Sequence, residues 1–135
     1  MRDRSLAILC GLMALSVTAL AGAAEPEGVS FADDLQPMLN SQCVYCHVTG
    51  AENGGLNLGR RHSHADLLSP SEGAPLPRVA PGDVEGSYLV HKLRGTHLEV
   101  GGSGSAMPVY DPPKPFPAKY LEAVERWIEA GAPDN

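Results

Sequence analysis

Cys43-Val44-Tyr45-Cys46-His47 is the stretch that governs how this chain folds. Two thiols three positions apart are followed immediately by an imidazole, which is the C-x-x-C-H arrangement of covalent haem attachment. Each S–H group can add across one haem vinyl group to form a thioether, and the turn between them puts His47 under the iron as the proximal ligand. The pentapeptide therefore predicts one covalently bound haem c, attached through Cys43 and Cys46.

The same two cysteines could instead close a disulfide of the thioredoxin kind or supply half of a zinc site. Thiol redox chemistry normally accompanies a βαβ unit, and the sequence shows no strand-like alternation. A zinc site needs two further ligands at a suitable spacing. The imidazole directly after the second cysteine favours haem, with the disulfide and zinc as alternatives.

The first two dozen residues have the composition of an export signal. Two arginines precede an uncharged run from Ser5 to Ala24 that ends in small residues with A-x-A spacing. We predict a signal peptide over residues 1–23, one domain over residues 24–135 and a periplasmic location. Cys10 would leave with the signal, whereas a run of about 20 residues also permits an uncleaved membrane anchor.

Composition narrows the classes of partner. The chain has 10 Lys and Arg against 16 Asp and Glu, a net charge of −6 at pH 7. Because nucleic-acid binding depends on neutralising phosphates with basic groups, this balance argues against such a partner. Only 5% of the residues are aromatic, which is sparse for a small domain. A bound haem would add the large apolar group that such a core lacks.

The segment before the pentapeptide is predicted to be helical. Ser30 can cap its first turn, with Asp33 at the capping-box position. Its apolar residues fall on one face: Phe31, Leu35, Met38 and Leu39. Pro37 should bend or shorten this helix, which then delivers the chain to the edge of the haem.

Three further helices are predicted. A short one covers residues 62–68, and another runs from an Asp83 N-cap to Arg94, with Gly95 ending it. The last helix begins near Pro117 and carries the clearest apolar stripe: Tyr120, Leu121, Val124, Trp127 and Ile128. On this helix Glu122 and Arg126 are spaced as an i, i+4 ion pair.

The connections are long and irregular. Residues 49–59 are rich in Gly and Asn and predict a loop under the porphyrin, with Leu56 and Leu58 as its apolar contacts. A Pro-rich connection follows from 70 to 81, then a flexible Gly and Ser stretch from 101 to 105 and a rigid Pro-rich one from 108 to 117. The prediction is an all-α domain with much irregular loop.

An electron-transfer haem needs a second axial ligand, and a Met thioether opposite a His favours the ferrous state. Met38 is too close to the attachment site to reach the opposite face and has the spacing of a core residue. Met107 lies far along the chain, on a loop stiffened by Pro108, and is the predicted distal ligand. The rivals are four histidines, of which the last two are better placed: His62, His64, His91 and His97.

Several stretches together carry a family resemblance. They are, in order, Phe31 with Leu35-Gln36-Pro37-Met38-Leu39, the pentapeptide, Gly54-Gly55-Leu56-x-Leu58, Pro81-Gly82-Asp83 with Ser87-Tyr88-Leu89, Met107-Pro108, and Trp127-Ile128-x-x-Gly131-Ala132. Over residues 29–133 the chain resembles a monohaem cytochrome c domain, and most closely the planctomycete-type family related to class I cytochromes c. It departs from the Met-Pro-Pro of many such domains, since Val109 follows Pro108.

The resemblance implies a small helical fold around one haem, with thioethers from Cys43 and Cys46, His47 as proximal ligand and Met107 as distal ligand. The expected function is a periplasmic cytochrome that relays single electrons and is not itself an enzyme. Its acidic surface would favour a redox partner with a basic docking patch. No stable membrane association is expected unless the signal is uncleaved. The alternative is a haem-based small-ligand sensor or peroxidase-like protein with an open distal position.

Overall fold

The computed structural model describes residues 28–52 and 54–135. These residues form one π-helical segment, Phe31–Leu35, and four α-helices: α1 (Gln36–Gln42), α2 (Ser63–Leu67), α3 (Tyr88–Arg94) and α4 (Ala118–Glu129). No strand occurs among them, and the one β-bridge joins Ala80 to Asp83. The described chain is thus mostly helical, as predicted. The predicted signal peptide and its cleavage site lie outside the described residues.

The π-helical segment and α1 together form the first predicted helix. Ser30 caps it as expected, because its Oγ accepts the Asp33 N–H at 3.1 Å. The return bond of the capping box was assigned to the wrong residue: the Asp34 carboxylate, not that of Asp33, accepts the Ser30 N–H at 2.9 Å. The wider π turn, in which the Leu35 N–H reaches the Ser30 carbonyl, explains this shift of one residue.

The start of α3 was also predicted wrongly. Asp83 does not cap the helix, because its Oδ1 accepts the Gly86 N–H in a separate turn. The helix begins at Tyr88, and its first N–H groups donate to the carbonyls of Pro77 and Arg78 in the extended segment. The end was predicted correctly, since Gly95 adopts the left-handed conformation with φ of +79°.

The core lies where α4 packs on the π-helical segment. Trp127 is completely buried, donates its Nε1–H to the Pro133 carbonyl at 2.8 Å, and has its ring centroid 5.3 Å from that of Phe31. Val124 and Ile128 are buried beside it, as the stripe predicted, while Tyr120 and Leu121 are only half-buried.

The ion pair of α4 was predicted wrongly, because Glu122 and Arg126 do not form one. Within the described residues, the ion pairs join Arg94 to Glu85 and to Glu125.

A buried amide joins the first helix to the rest of the fold. Gln36 is 1% exposed, and its Nε2 donates to Asn40 Oδ1 at 2.9 Å and to the Leu58 carbonyl at 3.1 Å. Its Oε1 accepts a hydrogen bond from Ser63 at the start of α2. Since the bonds to Leu58 and Ser63 are made in the interior, Gln36 fixes the path of the chain on both sides of the pentapeptide.

Candidate functional site

The pentapeptide forms a tight turn directly after α1. The Cys46 N–H donates to the Cys43 carbonyl at 3.1 Å, and the His47 N–H is shared between the carbonyls of Cys43 and Val44. This turn continues the helical path, because the N–H groups of Cys43 and Val44 both reach back to Leu39. The helix therefore sets the direction in which both thiols and the imidazole leave the chain.

The two cysteines differ in their surroundings. Both are free thiols; Cys43 is partly buried and packs against the core, whereas Cys46 is exposed. Burial raises the pKa of Cys43 to about 12, and the nearby Cys46 thiol acts in the same direction. A thioredoxin-like nucleophile needs a depressed pKa. The environment of Cys43 therefore suits a protonated thiol and does not favour disulfide exchange.

The imidazole of His47 is half-buried and has an unsatisfied nitrogen. Its Nδ1 is shielded from solvent and has no hydrogen-bond partner among the described residues. Burial lowers the pKa of His47, and the charge of Arg78 adds to this effect, whereas Glu52 and the Leu56 carbonyl oppose it. The ring is therefore kept neutral, which is the form in which histidine coordinates a metal. Among the described residues, Nδ1 does not make the bond to a carbonyl or carboxylate that the second ring nitrogen of a metal-bound histidine usually makes.

The loop after the pentapeptide is held by a buried guanidinium. Arg78 is 8% exposed and donates to the carbonyls of Gly54, Gly55 and Asp66 and to the Ser69 hydroxyl. The loop then returns to the site, because the Leu58 N–H donates to the His47 carbonyl at 2.9 Å. Nothing in the sequence marked Arg78, since its partners are backbone groups distant in the chain.

Met107 lies on a segment that the fold brings to the pentapeptide. Three residues beyond it, the Tyr110 hydroxyl donates to Gln42 Oε1 at 3.0 Å, and Gln42 immediately precedes Cys43. Burial raises the pKa of Tyr110, and Cys43 is close enough to add to the effect. Tyr110 therefore contacts the end of α1, and Met107 precedes it by three residues in the same segment. Met38, in contrast, is buried in the core, as predicted.

The rival histidines are engaged to different degrees. In His91 both ring nitrogens have partners, Thr96 Oγ1 at 2.8 Å and the Glu85 carbonyl at 2.9 Å. His64 packs on Phe31 and bonds the Ala132 carbonyl, and His62 is exposed. His97 is buried with Nε2 bonded to Gly104, and its Nδ1 has no partner among the described residues.

The pentapeptide has the donor groups that covalent haem attachment uses. These groups are two thiols and a neutral imidazole. At the edge of the core, several apolar side chains are only half-buried: Val44, Leu56, Leu89, Tyr120 and Leu121. A flat apolar ring is the kind of group that such side chains can contact. The zinc alternative is less well supported, because in residues 28–52 and 54–135 no three His, Cys, Asp or Glu side chains are grouped to hold a metal.

One cavity among the described residues lies apart from the pentapeptide. A cavity of about 190 Å³ is lined by Phe31, Gln36 and His64 with the arginines at 60 and 61, and it includes no residue of the pentapeptide. No helix of the described part is both long enough and apolar enough to cross a membrane.

Comparisons of the chain with protein-family models, with curated proteins and with solved structures found no match.

Proposed function

We propose that this protein is an exported monohaem c-type cytochrome of the periplasm that relays single electrons between redox partners. The observation that carries the proposal is the Tyr110–Gln42 hydrogen bond, which joins the segment of Met107 to the end of α1 beside Cys43. It supports a pairing of His47 and Met107 across one haem, with the helices and loops wrapped around that group as in cytochromes c. The resemblance over residues 29–133 points the same way.

Each residue of the site has a defined task in this proposal. Cys43 and Cys46 hold the group covalently, and the neutral ring of His47 is the proximal ligand. Met107 is the distal ligand, and its soft thioether stabilises the reduced form. When bound, haem supplies the one-electron iron couple. The half-buried apolar side chains exclude water from it, and the acidic surface favours a partner with a basic docking patch.

The first test is covalent attachment. The chain is expressed with haem-attachment machinery, and the pyridine haemochrome spectrum of the purified protein is recorded. One haem per chain that survives denaturation is expected for the wild type and no stable attachment for a Cys43→Ser, Cys46→Ser double variant. A colourless wild-type protein would contradict the proposal and favour a C-x-x-C module without haem.

The second test concerns Met107. Met107→Ala should abolish the Met–iron charge-transfer band and lower the reduction potential by on the order of 100 mV, within the roughly 0.8 V range that axial ligands span. Met38→Leu is the matched control, because Met38 is a core residue and its replacement should leave the band intact. Rapid carbon monoxide binding to the reduced wild type with no such band would instead support the sensor or peroxidase-like alternative.

A further inference from the structure

The loop between Gly95 and Met107 folds back along α3. The Gly102 N–H donates to the His97 carbonyl at 2.9 Å, and the Ser103 N–H donates to the Tyr88 hydroxyl at 3.3 Å. The His97 ring bonds the Gly104 carbonyl at 2.9 Å. Ser103 is therefore bonded to the helix and its two neighbours to His97 within the loop, although Gly and Ser in this stretch predicted flexibility.

Lys92 of α3 makes the next hydrogen bonds to the loop. The Lys92 Nζ donates to the carbonyls of Ser103 at 2.6 Å and Ser105 at 2.8 Å, and the Lys92 carbonyl accepts the Met107 N–H at 2.9 Å. Within the described part of the chain, every hydrogen bond of residues 105–107 is made with Lys92. The main chain of Lys92 thus holds the Met107 N–H, and its ammonium holds the two serine carbonyls of the loop that leads to Met107.

The ammonium group is well suited to this role. Its Nζ lies 5.5 Å from the centroid of the Tyr88 ring, and Tyr88 itself is bonded to Ser103. Hydrogen bonds from a charged donor are worth more than neutral ones. Lys92 itself is partly exposed, and both of its side-chain bonds to the loop lie at the surface.

We propose that Lys92 is the positioning residue for the distal ligand, holding the loop so that Met107 stays on the iron. This inference rests on the proposed function. Loss of the ammonium would leave the haem attached but make Met107 labile, so that an electron carrier acquires an open coordination position. No chemical step is assigned to Lys92, which acts only through Met107.

The test compares three variants of the haem-loaded protein. Lys92→Met removes the charged donor and keeps the length of the side chain, whereas Lys92→Arg keeps a donor. Lys119→Met is the matched control, because Lys119 is exposed with its ammonium over the Tyr120 ring and has no hydrogen bond to the loop. The readouts are the Met–iron charge-transfer band, the rate of carbon monoxide binding to the reduced form, and amide hydrogen exchange over residues 101–107.

Lys92→Met should bind carbon monoxide about tenfold faster and exchange the Met107 amide about tenfold faster, since the ammonium no longer holds the carbonyls of Ser103 and Ser105. The Met–iron band of Lys92→Met should weaken. Lys92→Arg should stay close to the wild type in the band and in both rates. The inference is overturned if Lys92→Met matches Lys119→Met in all three readouts, or if Lys92→Arg behaves like Lys92→Met.

Failure of the proposed function is seen separately. A wild type without attached haem, or with haem but no Met–iron band, refutes the function or the assignment of Met107 before any variant is made. The exchange measurement reports on the loop without reference to iron. If Lys92→Met fails to fold, Lys92→Leu, which also has no donor, is measured in the same way, and unchanged exchange over residues 101–107 in that variant contradicts the inference.

Discussion

Gly102 lies where the loop after α3 packs tightly against Tyr88 of the helix. A Cβ at this position would stand 2.5 Å from Tyr88 Cε2 and the Tyr88 hydroxyl, and 2.6 Å from the His97 carbonyl. One of these contacts is backbone and cannot move freely. The residue is thus needed for its small size, and the close approach it allows brings Ser103 to Tyr88 and Ser105 to Lys92.

Gly102→Ala should destabilise the protein by about 1–3 kcal/mol, the usual cost of overpacking a closely packed position. The free energy of unfolding from denaturant titration measures this loss. Gly28→Ala is the control, because no atom lies within 4 Å of a Cβ built there. Equal stabilities of the two variants would mean that the loop does not approach the helix so closely.

At the scale of the elements, the π-helical start of the first helix decides which carboxylate caps it. The wide turn moves Asp34 into the position that Asp33 would have in a regular α-helix. The same register gives Gln36 a place in the interior, where it reaches both Leu58 and α2. Local geometry at one end of the helix therefore bears on the two segments that flank the candidate site.

Asp34→Ala should lower the free energy of unfolding by about 1 kcal/mol, because the Ser30 N–H loses its acceptor at the helix start. Asp33→Ala is a matched control with the same change of charge at the adjacent position, and it keeps the Ser30 hydroxyl bond to the backbone N–H. Thermal unfolding of the two variants side by side gives the comparison. A larger loss for Asp33→Ala would indicate a regular α-helical start.

At the scale of the whole molecule, the candidate site adjoins the core, because Cys43 packs against it. Trp127 and Phe31 are packed in the interior, while Cys43, Leu121 and other apolar side chains at its edge are only partly covered. Burial at this boundary raises the pKa of Cys43 and lowers that of His47, so both groups are held neutral. The folded chain consequently favours the uncharged forms of the Cys43 thiol and the His47 imidazole.

Before haem attachment, stability should decline as the pH rises from about 9 to about 12. The Cys43 thiol has an ordinary pKa of 9.0 and a folded value of about 12, so the unfolded chain releases the proton first and is favoured in this range. Denaturant titrations at a series of pH values measure the decline. It should be smaller in Cys43→Ser and after attachment, when the sulfur is a thioether and no longer titrates.

The sequence by itself determined the helical class, the C-terminal helix with its buried Trp127 and the composition of the candidate site, because local spacing and residue chemistry carry that information. Tertiary structure alone decided the α3 start, which depends on the carbonyls of Pro77 and Arg78, and the arrangement around Met107. The Tyr110–Gln42 contact joins residues 68 positions apart, and the Lys92 bonds join a helix to a Gly-rich loop. Such contacts have no local signature, since they form only when packing brings distant segments together.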